Sequence, residues 1–326
     1  MHIQQVLDLG ALRAFHAVAA AADDHDYVAL PAGRLEELVP LLDGKERAGE
    51  LVLMYLGAVG DSPVGVLTLR LPTLDNLGSA NLELHIHPDH RRRGHARELL
   101  RFGIGEVQAR GRNRIFMEVP AGADGSDPQA LSLVTEVGAK PVLEEYRRLL
   151  DLERNPVGEP MTAPVGYRVL QWVDRAPGSV VDGAAYLLGR MTLDAPMGDM
   201  DYEQEKWDAA RYREMEQAAI ARRRLRVATA VVHVESGAVA GITDIAVNPD
   251  HPTVSYQWAT IVDPDHRGKR LGMVLKTWNH QLLKERVPDA AFVNTWNAAS
   301  NTFMVGVNEA LGFERLERWT EWQLDL

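Results

Sequence analysis

The sequence predicts two tandem copies of one α/β domain (α+β in its layering), and three observations lead there. Pro88-Asp89-His90-Arg91 returns as Pro264-Asp265-His266-Arg267, and Gly65 in PVGVLTL returns as Gly241 in VAGITDI, both at an offset of 176 (88 to 264, 65 to 241). Gly138 in TEVGA returns as Gly312 in EALGF, and Leu150-Asp151-Leu152 returns as Leu324-Asp325-Leu326, both at an offset of 174 (138 to 312, 150 to 324). The small drift in offset is one short loop difference. A period this long marks a duplicated globular unit, because solenoid repeats run to roughly 20–50 residues. Finally, 326 residues suit two domains of about 100–200 residues each. The expected domains are 1–152 and 167–326, joined by a linker at 153–166 with Pro/Gly composition (Pro156, Gly158, Pro160, Pro164, Gly166).

The first copy opens with a short strand at 3–9 and an Ala-rich helix at 12–22, followed by the acidic loop Asp23-Asp24-His25-Asp26. Apolar, β-branched runs at 50–57 and 64–71 flank the turn Gly60-Asp61-Ser62-Pro63, which reads as a hairpin. The strand at 80–87 alternates, with Leu82, Leu84 and Ile86 on one face and Asn81, Glu83, His85 and His87 on the other. A helix at 91–110 carries the stripe Leu99, Leu100, Ile104 and Val107. A strand at 114–119, a helix at 130–137 closed by Gly138, and a strand at 146–152 complete the copy. The second copy repeats the order: strand 167–173, hairpin 224–234 and 238–247, strand 254–262, helix 268–284, strand 291–295, helix 300–311 before Gly312, and strand 318–326. It adds an acidic loop at 194–201 and a helical stretch at 203–224, which together read as a lid over a pocket.

Composition narrows the function classes. The chain has no cysteine, so disulfides, thiolate metal sites and a cysteine nucleophile are excluded, and a cytoplasmic setting is expected. No apolar run reaches the ~18 residues of a membrane span, so no membrane partner is expected. Lys and Arg number 35 against 46 Asp and Glu, a formal net charge of −11, which argues against nucleic acid as a partner. An acidic surface suits a cationic amine, although solubility alone also explains it.

Chemistry concentrates at the strand–Pro-Asp-His-Arg–helix junction. In the first copy Arg91-x-x-Gly94-x-Ala96 leads into a helix. Successive backbone N–H groups at a helix N-terminus make an anion cradle, small residues let the backbone approach a diphosphate, and Arg91, Arg92 and Arg93 supply charge. The second copy reads DPDHRGKRLGMVLK, with Arg267, Gly268, Lys269, Arg270, Leu271, Gly272 and Met273 in that region and Arg270 at the first small-residue position. His85, His87, His90 and His95 invite a metal reading, but convergent ligands with supporting hydrogen bonds are not evident, and no metal is expected.

The order of elements, the V/I-x-P-x-x-R-x-x-G-x-G/A phrase and the Asn297-x-x-x-Asn301…Gly312-Phe313 phrase resemble the GNAT acyl-CoA N-acyltransferase superfamily. Two such domains in one chain are similar to the tandem GNAT proteins of actinobacteria, mycothiol synthases among them. The resemblance implies two GNAT folds, each a mixed, mostly antiparallel sheet flanked by helices, and acetyl-CoA or another acyl-CoA as donor to a small-molecule amine. It implies coenzyme contacts at the two loops, at Ile86, Ile261 and Val262 on the preceding strands, and at Asn297 and Asn301. The tyrosine that protonates the leaving thiolate in many members is replaced by Asn308, with Val134 at the same place in the first copy; Tyr256, His266 or water would then serve as the acid. The residues 122–130 of the first copy lack the matching asparagines.

The base candidates are Asp244 in the second copy and Glu83 in the first, whose partner at the 176 offset is Ala259. Asp194, Asp199, Asp201 and Trp258 are candidates for holding the amine, while Trp278 and Trp296 read as core and pocket lining. Catalysis is expected in the second copy, which keeps the asparagines and owns the lid. The alternatives are a non-catalytic acyl-CoA-binding protein and acetylation of a cysteinyl amino sugar. A homo-oligomer is left open.

Overall fold

The computed structural model describes residues 1–31, 33–121 and 128–326, with the side chain of Pro128 excepted. Its strands are β1 (His2–Gln5), β2 (Glu50–Val59), β3 (Ser62–Pro72), β4 (Ser79–Ile86), β5 (Arg114–Ala121), β6 (Lys140–Asp151), β7 (Tyr167–Val173), β8 (Leu225–His233), β9 (Val239–Val247), β10 (Val254–Val262), β11 (Phe292–Ala298) and β12 (Glu314–Asp325). Its helices are α1 (Leu9–Asp26), α2 (Leu35–Leu38), α3 (His95–Ala109), α4 (Pro128–Glu136), α5 (Gly178–Gly189), α6 (Met191–Asp194), α7 (Ala209–Ala221), α8 (Leu271–Arg286) and α9 (Thr302–Ala310), with short 3-10 turns at Val39–Leu41, Pro88–His90 and Pro264–His266.

The chain divides into two compact units that do not coincide with its halves. The first comprises Met1–Glu145, Met197–Glu203 and Glu317–Leu326; the second comprises Tyr146–Pro196 and Gln204–Leu316. Each half therefore lends its last strand away. In the first unit the sheet order is β1-β2-β3-β4-β5-β12, and in the second it is β6-β11-β10-β9-β8-β7. The pairs β4/β5 and β10/β11 run parallel, while β1/β2, β2/β3, β3/β4, β5/β12, β7/β8, β8/β9 and β9/β10 are antiparallel, as expected of a mixed, mostly antiparallel sheet.

In the first unit, α3 and α4 cover one face through Leu82, Leu99, Leu100, Val107, Ile115 and Val134, and α1 covers the other through Leu12, Phe15, Val52, Met54 and Val66. In the second unit, α5 and α7 cover one face with Val180, Ala184, Tyr212, Ile242 and Ile261, and α8 covers the other with Val274, Leu275, Leu282 and Leu283. The repeated glycine has a packing cause. A Cβ on Gly65 would lie 2.6 Å from Ile86 Cδ1 and 2.7 Å from Leu99 Cδ1, and one on Gly241 would lie 3.0 Å from Leu275 Cδ1. In each copy β3 or β9 lets the helix after the Pro-Asp-His-Arg turn lie close to the sheet. Gly65→Val should therefore cost about 1–3 kcal/mol by overpacking, read as a lower melting temperature with the acyl donor absent.

Three expected elements differ. Helix α1 begins at Leu9, where Asp8 Oδ1 accepts the Ala11 N–H at 2.9 Å, and it runs on through Asp26. The acidic loop of the sequence reading is thus the last turn of a helix, which puts Asp23 and Asp26 on one helix face. Helix α3 begins only at His95, because Gly94 is left-handed (φ 85°). The helical stretch expected at 203–224 is confined to α7, capped by Asp208.

Candidate functional site

The two Pro-Asp-His-Arg loops have the same construction. Each lies between a strand and a helix, with the Arg91 N–H to Pro88 O and the Arg267 N–H to Pro264 O both at 3.3 Å. Each requires two left-handed residues. The first copy uses Arg92 (φ 61°) and Gly94 (φ 85°); the second uses Gly268 (φ 78°) and Arg270 (φ 60°). Arg270 therefore does not break the loop: each copy carries one glycine and one arginine at these positions, in swapped order. A left-handed arginine costs about 1–2 kcal/mol.

Arg91 and Arg267, expected at a diphosphate, turn inward. Arg91 Nε donates to Ile86 O at 3.1 Å and its guanidinium makes a bidentate pair with Asp26 at 2.8 and 2.7 Å. Arg267 Nε donates to Val262 O at 3.1 Å and pairs with Asp194 at 3.1 Å. Both arginines satisfy the carbonyl that the end of the strand leaves unpaired. Charge for an anion falls to the exposed Arg92 and Arg93 in one copy and Lys269 and Arg270 in the other. The cradles differ in room. A Cβ on Gly94 would meet nothing within 4 Å, and Ala96 only partly packs on the core. Gly272 is buried, with Phe303 Cε1 of α9 4.0 Å from where its Cβ would stand, and Leu271 is core; Met273 is half-buried.

The asparagine phrase of the second copy holds helices together. Asn301 caps α9, accepting the Met304 N–H at 3.2 Å. Asn308, fully buried, accepts from Lys276 Nζ at 2.7 Å and donates to Asn297 Oδ1 at 2.5 Å. Burial pushes Lys276 down to about 7. Asp244 is equally engaged. Its Oδ2 takes Arg226 at 2.7 Å and its Oδ1 takes the Ala259 N–H at 3.2 Å, at the register shift between Gln257 and Thr260 of β10. That irregularity turns Trp258 outward, 57% exposed. Tyr256 stands mid-strand opposite Ala246 and Asn294, and His266 Nδ1 lies 2.8 Å from the Tyr167 hydroxyl. Ile261 packs under α5 and Val262 toward α8. Trp278 Nε1 donates to Met161 O, and Trp296 is half-buried.

The lid loop separates. Asp194 closes α6, paired with Arg190 at 2.9 Å. Asp199 and Asp201 lie in Met197–Glu203, which belongs to the first unit: the Asp199 N–H donates to Val142 O at 2.8 Å, Asp201 pairs with Arg114, and Glu203 and Asn76 exchange two hydrogen bonds. The segment expected to cover the second copy is docked on the first. Of the residues 122–130, those at 122–127 lie outside the described residues. Among the described residues no group of three or more His, Asp or Glu is placed to hold a metal.

The polar face of β4 is where titratable groups converge. Strands β4 and β5 pair only from Ser79↔Arg114 to Asn81↔Phe116 and then part. Beyond that point Glu83 and His85 on β4 share a face with Glu118 on β5, and β12 brings Glu321 directly opposite Glu118. From α1, Asp23 reaches His85 Nδ1 at 3.4 Å, while His85 Nε2 donates to Glu83 at 2.8 Å. Trp319 of β12 stacks on Tyr27 at 5.6 Å. Glu83 and Glu118 are exposed on this face, with His85 and Glu321 half-buried beside them.

The electrostatics follow from that arrangement. Burial opposes charge on His85, but its hydrogen bond to Glu83 and the charges of Glu83, Asp23 and Asp26 raise it to about 9. Burial likewise works against Glu83, which the His85 hydrogen bond nevertheless holds at about 2. Burial pushes Asp23 up to about 6, against the pull of His85. Burial raises Glu118 and Glu321, and neighbouring carboxylates raise both further. The second unit has Ala259 and Ile261 where the first has Glu83 and His85; Ile261 joins the apolar cluster under α5 and α7, and a small pocket beside it is lined by Trp172, Tyr212, Ile242, Arg226 and Asp244. The sequence reading found Glu83 but missed Glu118 and Glu321, because only the strand register sets them beside it.

Residues 20–127 match the acetyltransferase (GNAT) family. A mycothiol acetyltransferase of Thermomonospora curvata is 28% identical over 315 residues, 96% of this chain and 90% of the relative. Among solved structures, a tandem GNAT protein from the clavulanic acid biosynthesis pathway matches with a TM-score of 0.85 at 24% identity, covering 99% of this chain and 98% of that one. A GCN5-related N-acetyltransferase from Sphaerobacter thermophilus matches at 0.70 and 16% identity, over 99% and 95%.

Proposed function

As the chain belongs to the GNAT acetyltransferase family and carries two such domains in tandem, we propose that it transfers the acetyl group of acetyl-CoA to a small-molecule amine, with the chemistry in the first unit. The observation that carries this is the position of Glu83, His85 and Glu118 where β4 and β5 part, against the apolar Ala259 and Ile261 of the second unit. The open, left-handed turn at Gly94 and the first N–H groups of α3 fit a diphosphate, with Arg92 and Arg93 beside it. Acetyl-CoA, when bound, would supply the activated acyl carbon; the amine's attack forms the C–N bond and breaks the thioester C–S bond, and the proton then shed by the nitrogen leaves with the thiolate as the thiol.

The protein's own residues then have separate tasks. The carboxylates attract the acceptor as an ammonium ion. Glu118, raised toward neutrality, takes the ammonium proton and frees the lone pair for attack. Glu83 stays ionised on His85, and the Glu83–His85–Asp23 chain fixes the cleft floor and its charge. Orientation of the neutral amine contributes several kcal/mol, about the scale of an intramolecular reaction.

Thiol release from acetyl-CoA with a panel of primary amines tests the proposal. Amine-dependent release, with acetyl-CoA raising the melting temperature, is the expected result. Stabilisation without turnover for any amine would favour an acyl-CoA sensor, and neither effect would overturn both readings. The name of the Thermomonospora relative supports a second acceptor class, a cysteinyl amino sugar, which belongs in the same panel.

A further inference from the structure

We propose that Glu321, carried by the last strand of the chain, selects the acceptor by holding a second ammonium group, so that the preferred substrate is a diamine. This rests on the first-unit reading above and names its substrate class. In the antiparallel register of β12 and β5, Trp319 faces Pro120, Thr320 faces Val119 and Glu321 faces Glu118. Directly opposed residues stand about 4.5–5.5 Å apart at Cβ, and like charges so placed are destabilising. Continuing the β4/β5 register from Asn81↔Phe116 sets Glu83 level with Glu118. Three carboxylates thus lie in a row across neighbouring strands.

The same strands show how a carboxylate is treated when its role is structural. Asp325 of β12 and Asp201 both pair with Arg114 of β5, and Glu144 pairs with Arg318. No Lys or Arg pairs with Glu118 or Glu321 among the described residues. The protein leaves two facing carboxylates without a cation, on the face where β4 and β5 part. Beside them stands the stacked Tyr27–Trp319 pair, and aromatic faces next to carboxylates favour organic cations.

The arrangement also supplies an order of events. Without ligand the facing pair retains a proton, since burial raises both carboxyls, Glu145 and Glu83 raise Glu118 further, and Glu118 and Glu145 raise Glu321 further. A cation settling at Glu321 neutralises it and releases that proton, leaving Glu118 ionised to accept one from the reacting nitrogen. The two nitrogens then stand roughly one strand spacing apart, about 5 Å. A monoamine leaves the proton on Glu321 and gains no second contact there, so it reacts at Glu118 but is bound less well.

The test compares α,ω-diamines of increasing length with monoalkylamines of matching length, for the full-length protein and for Glu321→Gln. The wild type should favour a short diamine in kcat/KM. In Glu321→Gln the ratio of diamine to monoamine kcat/KM should fall about tenfold or more, the loss expected for one hydrogen bond to a charged group. Glu321→Asp should restore part of it. A ratio unchanged in a Glu321→Gln protein that still melts cooperatively and binds acetyl-CoA overturns the inference, while amine-dependent turnover that persists leaves first-unit catalysis standing. Full turnover in Glu118→Gln instead removes the reading on which it rests.

Discussion

Glu118→Gln is expected to lower kcat by about 100- to 10,000-fold, the usual contribution of a positioned general base, while acetyl-CoA affinity stays near that of the wild type. The reasoning is comparative. Asp244, the base expected from sequence in the second copy, has one oxygen ion-paired with Arg226 and the other bonded to the Ala259 N–H, so both are already engaged. Glu83 is held at about 2 by His85, too acidic to deprotonate an ammonium efficiently. Among the described carboxylates, Glu118 combines exposure with a raised proton affinity. Glutamine keeps the shape and removes the base, and it also relieves the facing charge of Glu321. The variant should melt no lower than the wild type at pH 8, so lost activity cannot be ascribed to unfolding. Wild-type kcat in Glu118→Gln would exclude it as the base.

Ala96→Glu should abolish turnover by preventing coenzyme binding, and Gly272→Glu should leave most of it. A carboxylate in the first turn of α3 suits the helix dipole, so the fold tolerates it. The same carboxylate faces the incoming diphosphate, and a like-charge contact of several kcal/mol corresponds to roughly a 100-fold loss or more. Gly272 is already covered by Val307 and Phe303, so its replacement strains α9 and should lower the melting temperature instead. The sequence alone favours the opposite order. Titration with acetyl-CoA followed by calorimetry, alongside turnover, decides between them: a dead Gly272→Glu protein and an active Ala96→Glu protein would place chemistry in the second unit.

The duplication was legible because chain-local signals carry it: a repeated turn, a repeated packing glycine, a repeated helix-ending glycine. The loop geometry was legible only in part. Glycine marks a left-handed position, but Arg92 and Arg270 occupy such positions too, and nothing in their identity announces it. The inward turn of Arg91 was invisible because its carboxylate partner, Asp26, sits on a helix that the pattern ends at Ala22. Glu83 could be found from strand alternation, a local property. Glu118 and Glu321 could not, since what gives them meaning is a register between residues 203 positions apart, Glu118↔Glu321. The asparagines show a related limit: the motif marks them, but only packing shows that Lys276 bonds Asn308 and that Asn301 caps α9.

The lent strands bear on how the protein is made. Strand β5 waits for a partner that lies 211 residues further along the chain, as the Arg114–Asp325 contact measures. At 5–20 residues per second, translation leaves β5 with an open edge for roughly 10–40 s. An unpaired edge strand is a template for wrong pairing, so this is the interval in which the nascent chain is most exposed to aggregation and to chaperones. Contacts so distant in sequence also close slowly. The unit that the ribosome starts first is therefore the one that matures last, and its sheet acquires β12, with Glu321, only after the second unit's strands have been synthesised.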